Sequence, residues 1–84
     1  MYSEIIPAVG MGITEVEIIS WKVKIGDKVN KGDLIVEIEM EKASAVLEAS
    51  VTGVVKEILF KEGDIAEVGN VICKINEKWR NMNK

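Results

Sequence analysis

Histidine is absent from this chain. That removes the commonest general base and the commonest metal ligand together. Cysteine occurs once, as Cys73, so no internal disulfide and no multi-thiolate metal site can form. Cys73 sits in the alternating run Val71-Cys73-Ile75 and reads as a small buried hydrophobe rather than a reactive thiol. Proline also occurs once, and Pro7 marks a strand boundary or a sheet edge. Aromatics make up 5% of the chain and the net charge is −3, which disfavours nucleic acid, where a basic face supplies most of the affinity. The first residues, Met1-Tyr2-Ser3-Glu4, carry neither a basic region nor a long apolar stretch. No signal peptide and no membrane span are expected, and a reducing, cytoplasmic setting is the default.

What is present points to one small folded domain. At 84 residues the chain hides only about 60–65% of its unfolded surface, so its core must be efficient. An apolar fraction of 48% supports a globule rather than disorder. Outside the tail, no segment shows a convincing apolar period of 3.6. Strands are expected from Ser3 to Pro7, from Glu15 to Lys24 and from Val54 to Phe60, with a last one from Val71 to Ile75. In the second of these, Val16 and Ile18 are expected on one face and Ile19, Trp21 and Val23 on the other. Gly26-Asp27, Gly32-Asp33 and Gly63-Asp64 mark turns, and Gly10 and Gly12 loosen the loop Ala8 to Thr14.

The second half repeats the first. Glu15–Lys42 aligns with Thr52–Trp79 without gaps, at a constant offset of 37 residues. Gly26 meets Gly63, Asp27 meets Asp64, Gly32 meets Gly69, Ile35 meets Ile72 and Ile38 meets Ile75. Matched turns with matched alternation indicate a duplicated β unit. Neither copy buries its apolar face alone, but two copies facing each other do. The expected fold is therefore all-β: a flattened barrel or sandwich of two small antiparallel sheets with pseudo-two-fold symmetry, a barrel-sandwich hybrid.

One hairpin stands out. Leu34, Val36 and Ile38 alternate on one side, and Ala45, Leu47 and Ala49 on the other. Between them lies Met40-Glu41-Lys42-Ala43, which lacks the Gly or Asn that primed hairpin turns favour and suits a type I turn. A lysine is thereby pushed out at a hairpin end. The repeat pairs Lys42 with Trp79, so this tip and the chain ends are expected at opposite poles. A lysine at a turn is ordinarily a solvated charge. It becomes a nucleophile only when desolvated, and nothing here desolvates it. Attachment of a group by another enzyme fits better than a catalytic amine.

The run Glu39 to Gly53, EMEKASAVLEASVTG, resembles the modified hairpin of lipoyl domains. These are the swinging-arm domains of 2-oxo acid dehydrogenase complexes, in the biotinyl/lipoyl carrier family. The family motif is an acid followed by Lys-Ala, then small and apolar alternation and a Gly; here these are Glu41, Lys42-Ala43 and Gly53. The likeness extends to Gly12-Ile13-Thr14-Glu15, Trp21 and the matched Gly-Asp pairs Gly26-Asp27 and Gly63-Asp64. Glu41 stands where Asp is commoner, and Glu48 and Ser50 stand where prolines are common. The resemblance implies lipoate held covalently on Lys42, with Glu41 and Ala43 as flanking recognition residues. It implies that Gly12, Thr14 and Glu15 help partners recognise the tip. The implied partners are a lipoate-attaching enzyme, a thiamine-diphosphate-dependent decarboxylase, an acyltransferase core and dihydrolipoamide dehydrogenase. It implies a dihydrolipoyl acyltransferase chain, with residues 1–76 as the carrier domain and 77–84 as a polar tail or the start of a linker.

Three other readings compete. A biotin carrier shares the fold and also modifies a hairpin lysine, but its hallmark is Met-Lys-Met, and here Met40 falls one place early. An unmodified partner-binding β module wants an exposed aromatic cluster, which is lacking. A free-standing enzyme wants a nucleophile–base pair and a pocket. No catalytic residue and no metal ligand are expected.

Overall fold

The computed structural model describes residues 1–77. Eight strands make up its regular structure: β1 (Tyr2–Ile5), β2 (Glu15–Trp21), β3 (Lys28–Val29), β4 (Leu34–Met40), β5 (Ala43–Glu48), β6 (Gly53–Ile58), β7 (Ile65–Glu67) and β8 (Val71–Asn76). They form two four-stranded antiparallel sheets, in the orders β1-β8-β6-β3 and β5-β4-β2-β7. The sheets face each other as a sandwich and do not close into a barrel. Trp79 and the rest of the tail lie outside the described residues.

The duplication read from the sequence is carried into the hydrogen bonding. Under the 37-residue offset β2 maps onto β6, β3 onto β7, and β4 onto β8. The two sheets thus exchange under the two-fold. Ile18 pairs with Ile38 as Val55 pairs with Ile75. A bulge follows each of these pairs, between Ile18 and Ser20 and between Val55 and Glu57. The turns repeat as well. Asp27, Asp33 and Asp64 each accept, through Oδ2, the backbone N–H three residues back at 2.8 Å, and Asn70 does so through Oδ1. The carboxylate or amide satisfies a donor that the turn leaves unpaired. Gly26 and Gly63 have φ of 97° and 94° in matched turns, a region closed to most side chains.

Bulges also correct the simple alternation. In β2 the bulge brings Trp21 and Val23 to the same inner side as Val16 and Ile18, rather than to the opposite face. One extra residue reverses the period-2 pattern beyond it. In β4 the register shifts between Leu34 and Val36, so Leu34 is 53% exposed while Ile35 and Val36 are both buried. Three strands also end earlier than expected, among them β6, which stops at Ile58 rather than Phe60. The first stops at Ile5, before Pro7, and the second stops at Trp21. By Lys24 the chain is already bonded to Asp27. The core is Ile6, Val16, Ile18, Ile35, Val36, Ile38, Val55, Ile72 and Ile75, with Cys73 fully buried among them. Burial, followed by the negative charge of Glu4, pushes the Cys73 thiol up to about 12.

Candidate functional site

The β4–β5 hairpin ends in a two-residue turn. Met40 pairs with Ala43, leaving Glu41 and Lys42 as the tip. No residue other than glycine has positive φ among the described residues. That excludes the primed turns and type II at Glu41-Lys42, and leaves the type I geometry that ordinary residues accept. Lys42 and Glu41 are both exposed. The Lys42 side chain makes no hydrogen bond or ion pair to any described residue. Its ammonium is therefore open to a partner, with no bond to break first.

The hairpin base is fixed firmly. Leu34 pairs with Glu48 there, and Ala49 exchanges hydrogen bonds with Gly32 and Asp33. Next in the chain, Ser50 donates both its N–H and its hydroxyl to the Glu4 carboxylate, at 2.6 and 2.8 Å. Glu4 is only 5% exposed, and this pair of hydrogen bonds ties β1 of one sheet to the segment just after β5 of the other. The chain then enters β6 at Gly53, which pairs with Val29 and abuts the carbonyl of Asn76. Asn76, the last strand residue, thus lies by the hairpin base. The tip is six residues along β4 from that base, about 20 Å at strand rise. Lys42 and Asn76 thus sit toward opposite ends of the hairpin.

A groove of about 390 Å³ opens beside the tip. Gly12, Thr14 and Glu15, expected to flank the lysine, line it together with Met40 and Glu41 of the hairpin. The loop is held there by Gly12 at φ 80°, by Ile13 N–H bonded to Gly10, and by Thr14 accepting from Val68. Ala43 faces Met40 across the turn. Two acids escaped sequence reasoning. Strand pairing sets Glu17 opposite Glu39, and Glu15 opposite Glu67. Like charges directly opposite each other are unfavourable. The first pair lines the groove. Glu17 and Glu39 are separated by a whole strand–turn–strand, so no local pattern signals their meeting.

The site's chemistry is limited to what it displays. Among the described residues no group of acids, cysteine or histidine is arranged to hold a metal ion. Among the described residues no helix is long and apolar enough to cross a membrane. What remains is an unencumbered primary amine at a hairpin tip, beside a groove lined by Glu15, Glu17, Glu39 and Glu41.

Residues 5–75 match the sequence model of a family described as biotin-requiring enzyme. Over 71 residues the chain is 39% identical to the dihydrolipoyllysine-residue acetyltransferase component of the pyruvate dehydrogenase complex of Staphylococcus aureus. The same component from Staphylococcus epidermidis gives the same identity. Both matches span 84% of this chain but only 16% of the relative, so the chain corresponds to a small part of those proteins. Among solved structures, the lipoyl domain of the 2-oxoglutarate dehydrogenase complex from Azotobacter vinelandii superposes with a TM-score of 0.75 at 30% identity. That match covers 92% of this chain and 98% of the other.

Proposed function

This chain belongs to the biotinyl/lipoyl carrier family, and from that membership we propose that it is a carrier domain bearing a lipoyl group on Lys42. The observation that carries the reading is the state of Lys42: exposed, unbonded to any described residue, and one of the two residues of a hairpin turn. The residues fit the group, since amide formation needs an accessible amine and removes a charge that no described residue depends on. When bound, a lipoyl group supplies a dithiolane able to accept an acyl group with two electrons and to pass both on.

The chain's own part is positioning. The hairpin holds the attachment point about 20 Å from its base, on a strand pair locked at the other end by Glu4 and Ser50. Glu41 and Ala43 flank the amine for the attaching enzyme. Gly12, Thr14 and Glu15 line the adjoining groove for partner recognition. Asn76 lies by the hairpin base, so a linker that followed it would start away from the tip. Tethering of this kind raises the effective concentration of the carried group at each visited site.

The whole protein would be the acyltransferase chain of a 2-oxo acid dehydrogenase complex, and this domain its non-catalytic carrier. Its partners would be a lipoate-attaching enzyme, a thiamine-diphosphate-dependent decarboxylase, the acyltransferase core and dihydrolipoamide dehydrogenase, in the cytoplasm. Residues 1–76 would form the carrier and 77–84 the start of a linker. Lipoate is favoured over biotin because Glu41 and Ala43 flank Lys42, and because the relatives named above are lipoyl proteins. Intact mass of protein grown with lipoate is expected to show one lipoyl adduct, absent in Lys42→Ala with the fold kept. An avidin-reactive product would instead establish the biotin reading.

A further inference from the structure

Residues 10–13 form a turn of identifiable type. Ile13 donates its N–H to the Gly10 carbonyl at 3.2 Å, and Gly12, third in the turn, has φ of 80°. Met11, second in the turn, does not have positive φ. Positive φ at the third position alone is the signature of type II. Met11 stands at the corner of this turn and is fully exposed, more so than any other large apolar side chain among the described residues. Gly12 lines the groove together with Met40 and Glu41, so the corner stands beside the lysine tip. A lone exposed apolar residue is by itself ordinary, and the chain carries its own comparison. Lys24-Ile25-Gly26-Asp27 is the same kind of turn, closed by the Asp27 N–H on the Lys24 carbonyl at 3.0 Å with Gly26 at φ 97°. Ile25 is 63% exposed at its corner. Gly26 bonds to Val55, the partner of Ile75, which places that corner toward the hairpin base.

We infer that Met11 is a contact residue for the enzyme that acylates Lys42, seated in an apolar socket of that enzyme flanked by cationic side chains. This rests on the lipoyl reading above. Attachment is the one step of a carrier's cycle whose chemistry occurs at Nζ of Lys42 itself. There the ammonium gives up two protons, Nζ bonds to the carbonyl carbon of lipoate activated by ATP as its adenylate, and AMP leaves with the bonding pair. An enzyme doing this has to cover the tip, and the corner beside the tip falls under it. A partner acting on the far end of the carried group has no such need. Met11 contributes nothing to the fold by burial, so all of its apolar surface is left to be gained at an interface. Its unbranched thioether adapts readily to a facing surface. Glu15, Glu17, Glu39 and Glu41 line the adjoining groove, which calls for cations on the facing surface and makes the encounter sensitive to salt.

The test is attachment to the bare domain by an ATP-dependent lipoate-attaching enzyme, followed by intact mass over a series of domain concentrations. Met11→Gln keeps the side chain's length and gives it a polar end. It is expected to raise KM for the domain about tenfold at unchanged kcat, as loss of one buried apolar side chain from uniform binding requires. Its thermal midpoint is expected to match the parent's. Met11→Leu is expected to recover most of the lost affinity, Ile25→Gln to keep the parent KM, and added salt to raise the KM of the parent. Met11→Gln at the parent KM, Ile25→Gln raising KM as much, or a KM indifferent to salt overturns this inference and leaves the carrier reading standing. Failure to form any adduct on Lys42 overturns both.

Discussion

Replacing Gly53 by alanine tests how the hairpin base is built. Gly53 is buried at the start of β6, and its φ is not in the left-handed region. The demand for glycine is therefore one of space. A Cβ built on it would lie 2.5 Å from the carbonyl oxygen of Asn76, 2.7 Å from Cγ2 of Ile75 and 2.9 Å from the Asn76 carbonyl carbon. Two of those atoms are backbone and cannot swing aside. Either β6 or β8 must move, and the Val29–Gly53 and Val54–Asn76 pairings are the ones disturbed. Overpacking of this kind costs about 1–3 kcal/mol. Each weakened ladder hydrogen bond adds about 1 kcal/mol. A loss of about 2–5 kcal/mol follows, against a total stability of ~4–12 kcal/mol for a chain this size. At about 4–8 °C per kcal/mol, the midpoint should fall by at least ~8 °C. Thermal and urea unfolding followed by circular dichroism reads this directly. Gly63→Ala is the control, since nothing lies within 4 Å of its Cβ position and only its φ of 94° is at stake. The left-handed conformation costs about 1–2 kcal/mol. Should Gly53→Ala melt within a few degrees of the parent, or above Gly63→Ala, the close-approach reasoning is wrong.

Three further outcomes are expected. Gly26→Val, at φ 97° in the turn matching that of Gly63, should cost more than the alanine control, because a β-branched side chain tolerates positive φ least; denaturant unfolding measures it. Glu41→Ala should change stability by less than about 0.5 kcal/mol, being an exposed turn charge, yet slow modification of Lys42; parallel unfolding and mass-spectrometric rates separate the two effects. Cys73 should make folding weaken in alkali. Its folded thiol is pushed up to about 12 from 9.0, so above pH 9 the unfolded chain binds fewer protons than the folded one. Stability is full below about pH 9 and falls by up to ~1.4 kcal/mol per unit between there and pH 12. Unfolding of Cys73→Ala across that window should show a shallower slope.

Much of this molecule was written locally. Gly-Asp turns at a fixed offset of 37 residues are short-range signals, and a turn's φ is set by the residues in it. Their repetition determined an all-β fold of two equivalent units. The lysine tip was equally legible, because Met40-Glu41-Lys42-Ala43 lies between two alternating runs only a few residues apart. Tertiary structure decided what depends on distant partners. The bulges after Ile18 and Val55, and the shift that exposes Leu34, arise from fitting one strand against another; the apolar phase change at Ile18-Ile19 marks the first, but alone it does not tell a bulge from a strand with two apolar faces. The Glu4–Ser50 strut joins residues 46 positions apart. The opposition of Glu17 to Glu39, and the arrival of Ile65 beside the tip, follow from strand order in the sheet. Period and turn chemistry are properties of a few neighbouring residues; register and strand order are properties of the packed whole.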